Sequence, residues 1–236
     1  MYMNYTSDRE QDTVEEIEIA CGSRDVKLIG TEEEDVLVEA EPEMKQYVRN
    51  KTLHLDENTP AHAAAGILFA FEEERHVTVH VPDGVHRIAV HTAAGTVEMK
   101  GISADTVTII TASGDVRGDT SARHLEIQTA SGDGNLQLDG VKHLEYSGVS
   151  GDVKLKGYGF ETAEIRTVSG DVSDETEQPY VSLQVDTVSG DVKIRKAAVD
   201  LSYRTLNGEI RCDADRIQGQ NRTDVHTLTG DLSVYF

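Results

Sequence analysis

Tryptophan is absent from this chain of 236 residues, and aromatic residues of all kinds make up only 5% of it. Enzymes that cleave polysaccharides stack sugar rings on aromatic platforms, and a glycosidase also sets two carboxylates about 5 to 9.5 Å apart across its groove. The acids here recur as a series, not as one distinct pair, which argues against that class. Positive charge is scarce as well: 22 Lys and Arg stand against 43 Asp and Glu, a net charge of −21. A phosphate backbone is bound by releasing its counterions to Lys and Arg, so nucleic acid is excluded as a partner. An anionic membrane surface is disfavoured for the same reason. The excess of acid reads as a device for solubility.

Long hydrophobic runs are missing too. The longest apolar stretch, AHAAAGILFAF at 61–71, falls well short of the roughly 20 residues that span a bilayer. The N-terminal MYMNYTSDREQDT lacks the apolar stretch of a signal peptide. As written, the chain is expected in the cytoplasm, and at the envelope if it was trimmed from a longer exported parent. The two cysteines, Cys21 and Cys212, lie near opposite ends. In a linear repeat their Cα atoms cannot reach the roughly 7 Å that a disulfide allows, and their spacing suits no metal site. No cofactor is expected.

What the chain has instead is one corner repeated eight times. TASGDV from Thr111 returns as TVSGDV from Thr167 and Thr187, with variants from Thr92, Thr129, Gly148, Thr205 and Thr227. The corner glycines are Gly95, Gly114, Gly132, Gly151, Gly170, Gly190, Gly208 and Gly230, spaced by 18 to 20 residues except for 22 in the last step. A period near 19 residues is the mark of a solenoid.

Each repeat also alternates with a period of two, as strands do. Leu125 and Ile127 share a face with Thr129, while Glu126 and Gln128 take the other; Leu144 and Tyr146, Ala163 and Ile165, and Leu183 and Val185 repeat the pattern. After the corner a second short strand begins, as at Val153 and Leu155 or Val192 and Ile194. Such a unit cannot bury its inner face alone, so copies must stack as parallel strands about 4.8 Å apart. The expected fold is all-β, a single-stranded right-handed parallel β-helix, since parallel crossovers are nearly always right-handed. Residues 92–236 form its regular part and 14–91 an irregular start and cap, after a polar tail at 1–13.

The corner glycines are expected where a Cβ would be penalised, and the threonines, interrupted only at Gly148, in one inner column. Stacking would bring Asp115, Asp133, Asp152, Asp171 and Asp191 about 5 Å from their neighbours, where repulsion is about 0.8 kcal/mol even in water. Each carboxylate is expected to accept hydrogen bonds from its own turn; bridging of two rungs by Ca²⁺ is the alternative. His124 and His143 should be stacked neighbours, and two imidazoles without a third ligand read as surface histidines.

The run HVTVHVPDGVHRIAVHTAAGTVEM followed by serial T-x-S-G-D-V rungs resembles the bacterial "putative adhesin" domains of unknown function. The resemblance covers nearly the whole chain from about Val14, implies the β-helix, brings no catalytic residues, and points to the cell envelope and its stress responses. The leading functional expectation is therefore a non-catalytic binding or scaffold module whose partner is a protein or envelope component. Two surfaces are candidates for contact: the apolar loop with Ile67, Leu68, Phe69 and Phe71, which otherwise covers the solenoid, and the C-terminal Val234, Tyr235 and Phe236. Through the latter, an end rung left bare would favour a weak homo-oligomer or an end-to-end filament.

Overall fold

The computed structural model describes residues 2–5, 13–40, 44–57, 76–178, 180–195, 200–212 and 222–235. All of its regular structure is β, and among the described residues no helix is long and apolar enough to cross a membrane. Two stacks of parallel strands face each other, and each level of the solenoid contributes one strand to each stack. In the first stack Thr106–Ser113 pairs with Arg87–Thr92 on one side and His124–Ser131 on the other, and the threonines stay in register: Thr92, Thr111, Thr129. In the second stack Val116–Thr120 lies between Val97–Ile102 and the start of Gly134–Ser150. Gly134–Ser150 and Val153–Ser169 each run unbroken from the second stack into the first at the next level.

The inner positions predicted from the alternation are the core. Leu125, Ile127, Leu144, Ile165, Val185 and Ile194 are all fully buried. Burying one such aliphatic side chain contributes about 1.5 to 3 kcal/mol, so stacking, not any single repeat, holds the chain together.

The levels do not follow chain order at either end. Glu16–Cys21 lies between Thr52–Glu57 and Arg87–Thr92, and Asp25–Thr31 lies between His76–Pro82 and Val97–Ile102. The first rung of the chain is thus the second level of the stack. The outer level is covered by antiparallel strands: Met44–Arg49 on Thr52–Glu57, and Val36–Glu39 on His76–Pro82, with Tyr2–Tyr5 beyond, so the whole sheet is mixed. A two-residue turn at Asn50 and Lys51, with φ of 51° and 65°, closes the first of these hairpins in the twist-matched form that such loops favour.

The other end repeats the exchange and corrects the sequence expectation. Arg222–Thr229 and Leu232–Tyr235 are inserted between Ser182–Ser189 with Val192–Arg195 on one side and Asp200–Arg204 with Ile210–Cys212 on the other. The chain's last strand is therefore an interior level, with Val234 2% exposed and Tyr235 half-buried, and not a bare terminal rung. The chain skips a level in the 18-residue step from Gly190 to Gly208 and comes back to fill it in the 22-residue step from Gly208 to Gly230. Phe236, like Ile67, Leu68, Phe69 and Phe71, lies outside the described residues.

Candidate binding face

The corners stack more closely than backbone conformation alone would require. A Cβ built on Gly170 would lie 2.0 Å from the carbonyl oxygen of Gly151, and one on Gly151 2.2 Å from that of Gly132. Gly170 also has φ of +144°, which L side chains rarely adopt. At Gly95 and Gly114 no such φ occurs, yet a Cβ would still meet the backbone of the level before at 2.1 Å. The glycine is thus demanded first by the approach of one corner to the next.

The acids next to these glycines form a ladder. The amide of Asp152 donates to Oδ1 of Asp133 at 2.8 Å, that of Asp171 to Asp152 at 2.8 Å, and that of Asp191 to Asp171 at 2.8 Å. The amide of Asp133 meets Asp115 at 2.9 Å, and Asp231 and Glu209 continue the series beyond Asp191. Asp25 opens it from the inserted first rung by accepting from the amide of Thr96. Each carboxylate therefore serves the next level, which corrects the expectation that it serves its own turn. A charge-assisted bond of this kind offsets the repulsion between neighbours. Among the described residues no group of three or more His, Cys, Asp or Glu is arranged to hold a metal ion.

Behind the corner runs the threonine column. Thr92 donates to the carbonyl of Gly22 and Thr167 to that of Ser169, but the buried hydroxyls of Thr111, Thr129, Thr187, Thr205 and Thr227 have no partner among the described residues. Strand spacing near 4.8 Å is too wide for one hydroxyl to reach the next, so the partners that the column's hydroxyls find among the described residues are backbone carbonyls near the corner, and the methyl groups supply the packing. Gly148 interrupts the column for a local reason. Tyr146, 1% exposed, stands in register between Ile127 and Ile165. A Cβ on Gly148 would approach its ring to 3.1 Å, and one on Gly134, where neighbouring levels have Val116 and Val153, to 2.8 Å. Two missing side chains make room for one large ring. Burial first, then Asp133, Asp115 and Asp152, push the Tyr146 phenol well above its ordinary value.

The residue after each threonine points outward. Ala93, Ala112 and Ala130 hold this place in three successive levels, Val149, Val168 and Val188 in the next three, and Leu228 and Leu206 in the last two. The valines and Leu228 are 43 to 53% exposed and Leu206 is 79% exposed. Among the described residues five of the eight exposed large apolar side chains stand in this single column, so apolar surface is concentrated here rather than scattered. Beside the alanine half lies a groove of about 860 Å³, bounded by the residues before each threonine, His91, Ile110, Gln128 and Ser147. Beside the larger side chains lies a second, smaller groove of about 500 Å³, between Arg166, Asp186 and His226 and the aliphatic column. Every one of these column residues lies inside the repeats, but alternation singles out the inner positions and leaves the outer ones unmarked as a set.

Other titratable groups lie away from the face or at its rim. His124 and His143 stack with centroids 5.0 Å apart, as the repeat implied. His80 meets Glu39 at 3.3 Å, His76 is exposed, and the imidazole of His226 contacts Asp186 at 3.0 Å. Cys21 takes the threonine's place in the first rung, in register with Thr92, and burial pushes its thiol up. The fully buried Arg24 sends Nε to Glu57 at 3.2 Å, and Glu57 also accepts the amide of Gly22. Asp174 sits in register between the aliphatic Leu155 and Ile194 and is 1% exposed. Its Oδ1 accepts the amide and hydroxyl of Thr176, its Oδ2 has no partner among the described residues, and burial pushes its carboxyl up to about 6.

Comparison with known proteins places this architecture. The model of the family Toastrack DUF4097 matches residues 14–234, and the chain belongs to that family. A solved structure from Parabacteroides distasonis, described as a "putative adhesin", covers 100% of this chain and 95% of its own, with 14% identity and a TM-score of 0.53. A "putative adhesin" from Bacteroides fragilis aligns over 100% of this chain and 96% of its own, at 14% identity and a TM-score of 0.47. No curated protein matches the chain.

Proposed function

We propose that this member of the Toastrack DUF4097 family is a non-catalytic β-solenoid, single-stranded and right-handed, that binds a protein or envelope component through its corner face. One observation carries the reading: five exposed aliphatic side chains aligned in register beside a groove, on a surface otherwise dominated by acid. The stacked glycines and the carboxylate ladder fix their spacing, so a partner meets a preformed surface and little ordering cost is left to binding. The handedness follows from the general rule for parallel crossovers. The envelope assignment is supported only by what the sequence resembles and by the adhesin description of the Parabacteroides structure.

The experiment is a pull-down from the native cell with the whole chain, with Val168→Lys/Val188→Lys, and with Val181→Lys as a control on the return corner, where Val181 is 59% exposed. Capture by wild type and the control but not by the double variant is expected. Equal capture by all three refutes the assignment of the face. End-to-end assembly is a second reading. It is favoured by the outermost described level, where Leu201 and Tyr203 are only half-buried and Ile210 is 53% exposed.

A further inference from the structure

The aliphatic column is graded, and its gradient reverses about its own centre. Inside the outermost level, Thr52–Glu57, whose residue at this place lies outside the described residues, it reads in stacking order Gly22, three alanines, Val149, two further valines and two leucines, because Gly22 stands at the level beside Ala93. Turned end for end about Val149, the column brings small against large at every level. Ala130 meets Val168, Ala112 meets Val188, Ala93 meets Leu228, Gly22 meets Leu206, and Val149 meets itself. We propose that a second copy of this chain occupies the face, antiparallel to the first, about a twofold axis at Val149; this rests on the reading of the corner face as a binding surface.

Three properties favour a second copy. An isologous contact requires a surface complementary to itself under a twofold rotation, and a size gradient of this kind supplies that complementarity, whereas a uniform stripe would not. The strip is also poor in the charge that keeps copies apart. Along the strip the acids are Asp186, already engaged by Gln184 and His226, and, at the outer end of the groove, Glu57, already engaged by Arg24 and the amide of Gly22, against Arg166 and Arg204. Under the rotation Arg166 faces Gln128 and His226 faces His91, so no two acids oppose each other within the strip. Finally, nine levels about 4.8 Å apart give a strip about 40 Å long; at a width of about 15 Å, two copies bury about 1,200 Å² in total, the lower bound of specific interfaces. The dimer is therefore weak, and since the aspartate ladder and the glutamates at Glu126, Glu145 and Glu164 border the strip, salt strengthens it.

The test is sedimentation equilibrium of the whole chain from micromolar to millimolar concentration at low and high NaCl, with unfolding midpoints taken on every variant. A dimer favoured by salt is expected. Ala112→Leu and Val188→Ala should each raise its dissociation constant about tenfold. The two together should restore it, since the exchanged pair again sets one large side chain against one small one. Oxidation of Val149→Cys should give a covalent dimer, and oxidation of Val181→Cys should not. A monomer throughout the range, with pull-down still abolished by Val168→Lys/Val188→Lys, overturns the inference and leaves the binding face standing. A monomer with unchanged pull-down overturns both. A dimer indifferent to the exchanges uses another surface, and a monomer that dimerises only after deletion of 61–71 has its own chain on the face; either result overturns the proposal.

Discussion

Tyr146 and the two glycines beside it make a local test of how the repeat tolerates departure from its own pattern. In wild type, Gly134→Val places a side chain whose Cβ alone would stand 2.8 Å from the ring, and Gly148→Thr one whose Cβ would stand 3.1 Å away. Overpacking of this kind costs about 1 to 3 kcal/mol. Tyr146→Ile, which restores the residue of the neighbouring levels, removes the clash but leaves a cavity that costs about 2 to 4 kcal/mol. Combined, the three changes rebuild the standard rung, and two glycines leave strand interiors, each worth about 0.5 to 1 kcal/mol. The triple variant should therefore unfold within about 1 kcal/mol of wild type, although the singles sum to a loss several times larger. Urea unfolding followed by circular dichroism reads the midpoints and slopes. Losses that add to within about 0.5 kcal/mol would show that Tyr146 does not dictate the two glycines.

Gly170→Val should destabilise the solenoid by more than about 2 kcal/mol, because the new side chain meets both the Gly151 carbonyl and an unfavourable φ; an unchanged urea midpoint would refute the corner stacking. In the aspartate ladder, Asp152→Ala removes the acceptor of the Asp171 amide and should cost about 1 to 2 kcal/mol, while Asp152→Asn keeps an acceptor and should cost less. Calcium at millimolar concentration should raise the melting temperature no more than magnesium does at equal ionic strength, and a calcium-specific rise would point to a bound ion. Asp174 titrates near 6 when folded and near 3.8 when unfolded, so the stability it confers is full below the lower value and is lost as pH rises through the upper one. That loss is about 3 kcal/mol. Asp174→Asn should abolish it, leaving the variant more stable than wild type above pH 7, and parallel pH profiles for the two proteins would contradict the burial of this carboxyl.

The stacking of like on like was legible because two periods coincide in the sequence. Alternation by two named the core pairs from Leu125 to Val185, and the glycine spacing fixed which corners are neighbours. The exchanged levels at both ends were not legible, because parallel strands of similar sequence can take one another's places with little change in contact. Only the longer step from Gly208 to Gly230 marked one of them, and the corner at 21–26, CGSRDV, escaped the glycine spacing because Arg24 stands where the other corners have glycine. The partner of each corner carboxylate was missed because an aspartate that serves its own turn and one that serves the next level read alike. Asp174 was missed because its rung, Val172 to Asp174, is too short to show that an acid stands where Leu155 and Ile194 do. The outward column was missed because alternation marks the inner positions alone, although Ala, Val and Leu follow one another at a fixed place in the repeats.

The most direct test of the binding face is photo-crosslinking in the native cell, with a benzophenone amino acid placed at Val188 on the aliphatic column or at Val181 on the opposite corner, both exposed. Discrete adducts from position 188 and none from position 181 are predicted, whether the captured chain is a second copy or another protein. Adducts from 181 alone, or from both positions equally, would contradict the account.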